Sequence, residues 1–372
     1  MEDVLFRSVK RLCYAGLDSV SLRREVAARM VPRLGFEAHA FSTCDPDTGL
    51  MTHTVAEGVP PDLARLYLEE LYPRHCACLT MDLPRVGIGV YTGERDTPLM
   101  RREMEDAGVH WQLHASFAAN NRLWGTWCLM RERRPAGGAD GRGRALLERL
   151  VPHLARGLQS AALIDGGRAP EPRDRDGSAA GVVVLDDRNR PILRTPQASV
   201  WLADLADDGL RLEDELPMAV HALASRLRRT RVDIAASLRA RARGASGRWY
   251  SLRAALAEPN EYGASAIVIV VQPAAVREIA GLLTQLYDLS AREREVVAAV
   301  ARGEPTKAIA AALGVSAHTV VEHIERACQK IGVRGRRALV AKLFFDGYSP
   351  LTPERGVRGA GRRALAEGRA EA

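Results

Sequence analysis

The chain has 372 residues, which at about 100–200 residues per domain predicts two to four domains. Hydrophobic residues make up 47% of the chain and charged residues 27%, which indicates a globular protein and excludes a fully disordered one. No run of ~18 apolar residues occurs, the first residues do not resemble a signal peptide, and the six cysteines form no dense framework. These features predict a cytoplasmic protein with no membrane partner. The net charge of +7 is compatible with nucleic acid but is weak evidence for it.

The first segment, residues 1–165, alternates the apolar patterns of helices and strands. In order, the predicted elements are a helix over 21–34, strands over 37–42 and 50–55, a helix over 61–72, strands over 109–119 and 122–131, and a helix over 146–163. Asn120 and Asn121 tolerate a positive φ and suit the turn of the second hairpin. This order predicts an antiparallel sheet with helices packed on it.

The layout of this segment resembles a GAF-type sensor domain, in architecture rather than in any residue signature. The resemblance implies a small-molecule effector held between the sheet and the loops on one side. The aromatic and polar residues that are candidates for its lining are His75, Cys76, Trp111, His114, Trp124 and Trp127. The alternative interpretation places these rings in the core of the sheet or in an interface.

Residues 166–180 are rich in Gly, Pro, Asp and Arg, and predict a linker. The next segment, residues 181–275, shows two short strands, short helices and a three-stranded meander, a layout that resembles a PAS-like fold. Asp186 and Asp187 after an apolar strand are also typical of a phosphoacceptor receiver domain. That reading is disfavoured because no lysine occurs between residues 11 and 306, and because the segment ends in strands without intervening helices.

The strongest pattern lies in the third segment, residues 281–348. Ser290 and Glu293 form an S-x-x-E capping box that begins a helix. Two further helices follow, with Thr306 and Ser316 placed to cap them and Gly314 and Gly332 placed to end them. A fourth helix is predicted over 336–345. Two short helices joined by a Gly-containing turn form a helix–turn–helix, in which the second helix enters the major groove of DNA.

This segment resembles the DNA-binding domain of LuxR-type transcriptional regulators. The matching positions are Leu289, 292–296, Gly303, Lys307, Ile309, Ala310, Leu313, Val315, Ser316, Thr319, Val320, His323, Lys330, Gly332, Val333, Arg337 and Ala338. The resemblance covers about a sixth of the chain. It implies a four-helix domain that binds DNA as a dimer through its fourth helix, whose contact residues would be Leu339, Val340, Leu343 and Phe344.

The helix expected to read DNA departs from the family. Val321 occupies a position where the family usually carries a lysine, and Glu322 and Glu325 occupy positions where neutral or basic residues are more usual. Phosphates repel a carboxylate, but glutamate can accept a hydrogen bond from the cytosine amino group, and valine can contact a thymine methyl group.

The candidate DNA-binding residues follow from this interpretation. They are Thr306, Lys307, Ser316, His318, Thr319, Val320, Val321, Glu322, His323, Glu325, Arg326, Lys330, Arg334 and Arg336. The basic members are expected to contact phosphates, which position the protein without specifying sequence. Alternatively, the basic residues simply form a solvated helix face. The alternative role of Thr319 and His323 is packing and support of the helix.

Signs of other chemistry are weak. The cluster from His75 to Cys78 has a C-x-C spacing shorter than that of zinc sites, and no second ligand pair stands out, so no metal is expected. No phosphate-binding loop, nucleophile elbow or H-E-x-x-H motif occurs, which predicts neither a cofactor nor an enzyme. The Trp/Tyr/Asp signature of acyl-homoserine-lactone receptors does not fit the tryptophan spacing.

The fold class predicted from these segments is multidomain α+β: two antiparallel-sheet sensor domains, an all-α four-helix domain and, over 349–372, a disordered tail. The function predicted is a dimeric, DNA-binding transcriptional regulator. Its expected partners are double-stranded DNA, a second copy of the chain, a small-molecule effector and RNA polymerase. Two alternatives stay open: a sensor or interaction scaffold whose helix–turn–helix no longer reads DNA, and a ligand-independent regulator whose front domains only dimerise.

Overall fold

The structure is a computed structural model. It describes residues 2–68, 90–92, 102, 104–119, 122–133, 141–162, 179–210, 216–229, 238–257, 266–275, 278, 279, 287, 289 and 290–340.

The first segment forms an antiparallel sheet of five strands in the order β2-β1-β5-β4-β3. Its elements are α1 (Glu2–Cys13), α2 (Ser19–Leu34), β1 (Ala38–Cys44), β2 (Met51–Glu57), α3 (Pro61–Leu66), β3 (Val90–Thr92), β4 (Trp111–Ala119), β5 (Arg122–Arg131) and α4 (Gly141–Ala161). The predicted sheet with packed helices is therefore confirmed in outline. Helix α1 was missed, although Leu5, Val9 and Cys13 form a buried stripe at four-residue spacing.

The second segment forms another antiparallel sheet, in the order β7-β6-β10-β9-β8. Its elements are β6 (Gly181–Leu185), β7 (Pro191–Arg194), α5 (Pro196–Asp204), α6 (Met218–Arg229), β8 (Leu238–Arg243), β9 (Trp249–Leu256) and β10 (Ile267–Pro273). The central strand β10 alternates buried Ile267, Ile269 and Val271 with half-exposed residues, as expected of a sheet with one face on the core. Because every pairing of these strands is antiparallel, the structure agrees with rejecting a receiver domain, which needs parallel strands.

The two sheets contact each other along the edge strand β2. The N–H of Ala56 donates to the carbonyl of Asp208 at 2.7 Å, and the N–H of Asp208 donates to the carbonyl of Thr54 at 2.8 Å. Residues 206–209, which follow α5, therefore pair with the outer edge of the first sheet and cover backbone groups that an edge strand would otherwise expose.

The third segment begins with three helices: α7 (Ala291–Ala301), α8 (Thr306–Leu313) and α9 (Ala317–Ile331). Residues 335–340 are also helical and correspond to the start of the predicted fourth helix. The predicted Ser290–Glu293 capping box is present, with both hydrogen bonds formed. Gly314 and Gly332 adopt the left-handed conformation at the ends of α8 and α9, at φ 65° and 77°, as predicted.

Within the described ranges, no helix has the length and apolar character that a membrane crossing needs.

Candidate nucleic-acid interface

Helices α8 and α9, joined at Gly314 and Val315, form the helix–turn–helix. The predicted cap of α8 needs correction: Thr306 is the first residue of the helix, and Pro305 occupies the N-cap position without a side-chain hydrogen bond. Proline fits at a helix start because its missing N–H would have no partner there. The Thr306 hydroxyl instead lies 3.4 Å from Arg336 Nη1.

The start of α9 is capped as predicted. Ser316 Oγ accepts from the N–H of Thr319 at 3.0 Å, and the two hydroxyl oxygens lie 2.8 Å apart. Thr319 therefore has a role in supporting the helix start. Both hydroxyl groups are at the surface, so the amino-terminal end of α9 is accessible to a partner.

Helix α9 has one buried and one exposed face. The residues of the buried face are Val320, Ile324, Ala327, Cys328 and Ile331. At 100° per residue, the residues on the opposite side are His318, Glu322, Glu325, Arg326 and Gln329, and Val321 lies at the edge of this side; Glu322 is half-buried and the others are exposed. Val321 is 41% exposed, which is unusual for a valine.

Two residues of α9 that were predicted to contact DNA do not lie on its exposed face. Val320 is fully buried, so it packs in the domain core and cannot contact DNA. His323 is half-buried, and its Nδ1 atom lies inside the protein with no hydrogen-bond partner among the described residues. The half-buried position of His323 fits the alternative role of packing and helix support.

The acidic residues of α9 differ in their surroundings. Glu322 lies between two basic side chains on its own helix, with His318 Nε2 at 3.4 Å from Oε1 and Arg326 Nη2 at 3.6 Å from Oε2. Glu325 is exposed and enters no ion pair within the described part of the chain. The two carboxylates are therefore not equivalent toward a partner.

Lys330 is part of the internal support of the domain. Its Nζ donates to Glu293 Oε2 at 2.7 Å, and the Glu293 side chain is only 5% exposed. The same carboxylate oxygen accepts from the N–H of Ser290 at 2.7 Å. Burial raises the pKa of Glu293, but the hydrogen bonds from Lys330 and Ser290 outweigh burial and hold the pKa below its ordinary value. Lys330 thus joins α9 to the start of α7, and its contact with phosphate stays a prediction.

Arg336 is occupied in the same way, because its guanidinium group donates to the carbonyl of Glu304. The exposed basic candidates are Lys307 on α8, Arg326 and Lys330 on α9 and Arg334 just after α9, and of these Lys330 is paired with Glu293. The sequence analysis did not predict that Lys330 supports the domain. Glu293, the acidic residue of the capping box, was the available signal, because a buried carboxylate is stabilised by a cationic neighbour.

The predicted dimer contact also changes. Leu339 is fully buried in the core that it shares with α7, α8 and α9, so it stabilises the single domain. Val340 is half-buried. Leu343 and Phe344 lie outside the described residues.

The predicted effector-pocket residues do not share one face of the first sheet. Trp111, Trp124 and Trp127 lie in the apolar core beneath α1, α2 and α4, where Trp127 stacks on Phe41 with ring centroids 4.7 Å apart. His114 lies on the other face, because successive residues of β4 alternate sides. His75 and Cys76 lie outside the described residues. For the tryptophans, the alternative interpretation as sheet core is the better one.

The face that carries His114 is polar although it is buried. His114 Nε2 lies 3.0 Å from Gln112 Oε1, and the hydroxyl oxygens of Ser42 and Thr54 lie 2.8 Å apart. Burial lowers the pKa of His114 to about 4, so the imidazole is neutral at pH 7. Across the described ranges, no three His, Cys, Asp or Glu side chains are placed to hold a metal ion.

Comparison with known proteins identifies the third segment. Residues 288–343 match the family model of bacterial regulatory proteins of the luxR family. Spore germination protein GerE of Bacillus subtilis is 46% identical over 59 residues, which are 16% of this chain and 80% of GerE. The chain belongs to the luxR family of bacterial regulatory proteins. Members of this family are DNA-binding regulators and not enzymes.

Other relatives of this luxR-family chain match over smaller shares of their length. The "Probable transcriptional regulatory protein NarL" of Mycobacterium tuberculosis is 44% identical over 80 residues, 20% of this chain. The chain spans 37% of the length of NarL.

Two solved structures match this chain with low scores. The Vibrio cholerae VqmA–ligand–DNA complex is 16% identical, with a TM-score of 0.24, over 51% of this chain and 92% of VqmA. The E. coli DhaR(N)–DhaL complex is also 16% identical, with a TM-score of 0.24, over 72% of this chain and 90% of the matched one. These scores are too low to indicate a shared overall fold.

Proposed function

We propose that this luxR-family chain is a sequence-specific transcriptional regulator that binds double-stranded DNA as a homodimer in the cytoplasm. Its DNA-binding unit spans 281–348. The observation that supports this most directly is the capped helix α9, which turns a continuous exposed face away from the core. A helix presented in this way after a short turn fits the major groove.

We also propose that the two front units, residues 1–165 and 181–275, are GAF-like and PAS-like sensor domains that modulate DNA binding or activation. A buried sheet face that carries the polar side chains of His114 and Gln112 supports a small-molecule effector, because ligand sites place a few polar groups among apolar ones. RNA polymerase is the further partner expected of such a regulator.

The first experiment is the selection of bound sequences from random duplex DNA by the full-length protein. We expect an enriched pseudo-palindrome whose half-sites lie about one helical turn apart, since a dimer presents two copies of α9. Failure to enrich any sequence, with or without cell extract as a source of effector, would contradict the proposal and favour the scaffold. Glu322 and Glu325 are the observation behind that second candidate, since phosphates repel both.

A salt titration of the same complex tests the phosphate contacts. Lys307→Gln and Arg334→Gln remove exposed charges beside α9, so each should reduce the slope of log affinity against log salt by about 0.9. Lys10→Gln is the matched control, because it removes an exposed charge on α1, far from α9 in the sequence. An equal change in all three variants would show that only net charge matters.

A further inference from the structure

The exposed face of α9 carries a specific pair of chemical groups. Val321 and Glu325 are four residues apart, about 6 Å along the axis and about 40° around it; both are exposed, with Val321 at the edge of the buried face. They lie in the first two and a half turns of the helix. In helix–turn–helix complexes, residues near the start of the second helix contact base edges.

The surroundings of the two glutamates separate their roles. Glu322 is flanked by His318 and Arg326 at 3.4 and 3.6 Å, so a cationic neighbour screens its charge and competes for its oxygens. Glu325 enters no such pair in the described ranges. Of the two carboxylates, Glu325 is therefore the one that meets no competing cation in the described ranges.

A carboxylate in the major groove needs a donor on a base edge. The available donors are the cytosine N4 amino group and the adenine N6 amino group. The adenine amino group lies between two acceptors, adenine N7 and thymine O4, which repel a carboxylate. The cytosine amino group has an acceptor on only one side, so cytosine is the favoured partner. One turn away, the exposed methyl groups of Val321 match the C5 methyl group of thymine.

We propose that Glu325 accepts a hydrogen bond from a cytosine amino group and that Val321 contacts a thymine methyl group in each half-site. The two base pairs lie within about two steps of each other, because one helical turn covers less than two 3.4 Å steps. This inference rests on the proposed function and adds the bases that the protein discriminates.

Selection from random DNA tests the cytosine contact with three full-length proteins, and the thymine contact with the variant Val321→Ala. The wild type should enrich a C·G pair and a nearby T·A pair in each half-site. Glu325→Gln should lose the preference for cytosine at that position by roughly 5- to 100-fold, and should shift toward adenine, since glutamine pairs with adenine N6 and N7. Glu295→Gln is the matched control: it removes the same charge from an exposed position on α7, outside the candidate DNA-binding residues, and should not move any base preference.

The outcomes separate the two proposals. An enriched motif that is identical in the wild type and Glu325→Gln, or one without a C·G pair in the wild type, overturns the base assignment and leaves DNA binding standing. A lack of enrichment in all three proteins overturns DNA reading and the base assignment together. Affinity for random DNA measured in parallel shows that each variant is folded, so a lost preference cannot come from a lost domain. Val321→Ala should relax the preference for thymine alone.

Discussion

Arg241 of β8 binds Asp45 at the turn between β1 and β2, and so joins the two sheets. Its Nη2 donates to Asp45 Oδ1 at 2.8 Å, and its backbone N–H donates to Asp45 Oδ2 at 2.7 Å. The side chains are only 11% and 2% exposed. Arg241 Nη1 also donates to the carbonyl of Glu278 at 2.9 Å, in the segment that leads to the DNA-binding unit. One guanidinium group therefore contacts both sheets and the connection to α7.

Removing Arg241 should destabilise the contact between the sheets. In Arg241→Met, Asp45 stays buried without its cation, which costs about 3–5 kcal/mol for a buried pair. Urea unfolding of the full chain measures the loss, and Arg239→Met, an exposed neighbour on the same strand, is the control. Because Asp45→Leu combined with Arg241→Met leaves no unpaired charge, the double variant should recover part of the loss. If the double variant loses as much unfolding free energy as the two single variants together, Asp45 and Arg241 do not stabilise each other.

Gly209 should tolerate no side chain at the contact between residues 206–209 and β2. Its φ is +83°, and a Cβ atom there would lie 2.0 Å from the carbonyl oxygen of Ala56. Gly108 has nearly the same φ, +85°, with nothing within 4 Å of its Cβ position. Gly108→Ala should therefore cost only the backbone strain, about 1–2 kcal/mol, and Gly209→Ala clearly more. Thermal unfolding measures the loss of stability in each variant. Equal losses would show that the backbone around Gly209 and Ala56 can move apart at little cost.

Lys330→Met should loosen α9 without touching its DNA-facing residues. Glu293 would keep its buried carboxylate but lose the charged donor, at a cost of about 1.5–3 kcal/mol. Arg326→Met is the control on the same helix, because Arg326 is exposed and lies 3.6 Å from Glu322. Hydrogen exchange of the α9 amides, followed by mass spectrometry, should speed up in Lys330→Met and stay unchanged in the control. Unchanged exchange in both would mean that Lys330 does not support the helix.

Asp207 should make the contact between the sheets more stable in mild acid. Burial raises the pKa of Asp207 to about 7, although the N–H groups of Met218 and Thr54 donate to its two oxygens. Since the unfolded pKa is near 3.8, the folded state binds the extra proton, and the stabilisation from this group is lost as the pH rises from about 4 to 7.

Comparison of the wild type with Asp207→Asn isolates this group. The variant cannot titrate there, so the advantage of the wild type in unfolding free energy should grow by about 2 kcal/mol between pH 7 and pH 5. The comparison is needed because the wild type alone also responds through His114, whose pKa burial lowers to about 4. His114 has the opposite effect on stability, because its stabilising contribution is lost as the pH falls from about 6.5 to 4. A difference that does not change with pH would show that Asp207 is ionised throughout.

Much of the local structure could be predicted from the sequence. The strand Gly181–Leu185, the Ser290–Glu293 capping box, and the glycines that end α8 and α9 all follow from short-range preferences of a few neighbouring residues. The family also follows from the sequence, because its pattern is contained within about fifty-five consecutive residues.

Only the tertiary structure decided which residues face a partner and which face the core. Val320 and Val321 are neighbours in the chain, yet one is buried and the other is exposed, since each residue turns the helix by 100°. Lys330 and Arg336 are basic like Lys307, but packing brings them to Glu293 and Glu304. The pairing of Arg241 with Asp45 joins residues 196 positions apart, and no local pattern encodes it, because such a contact depends on how two sheets pack.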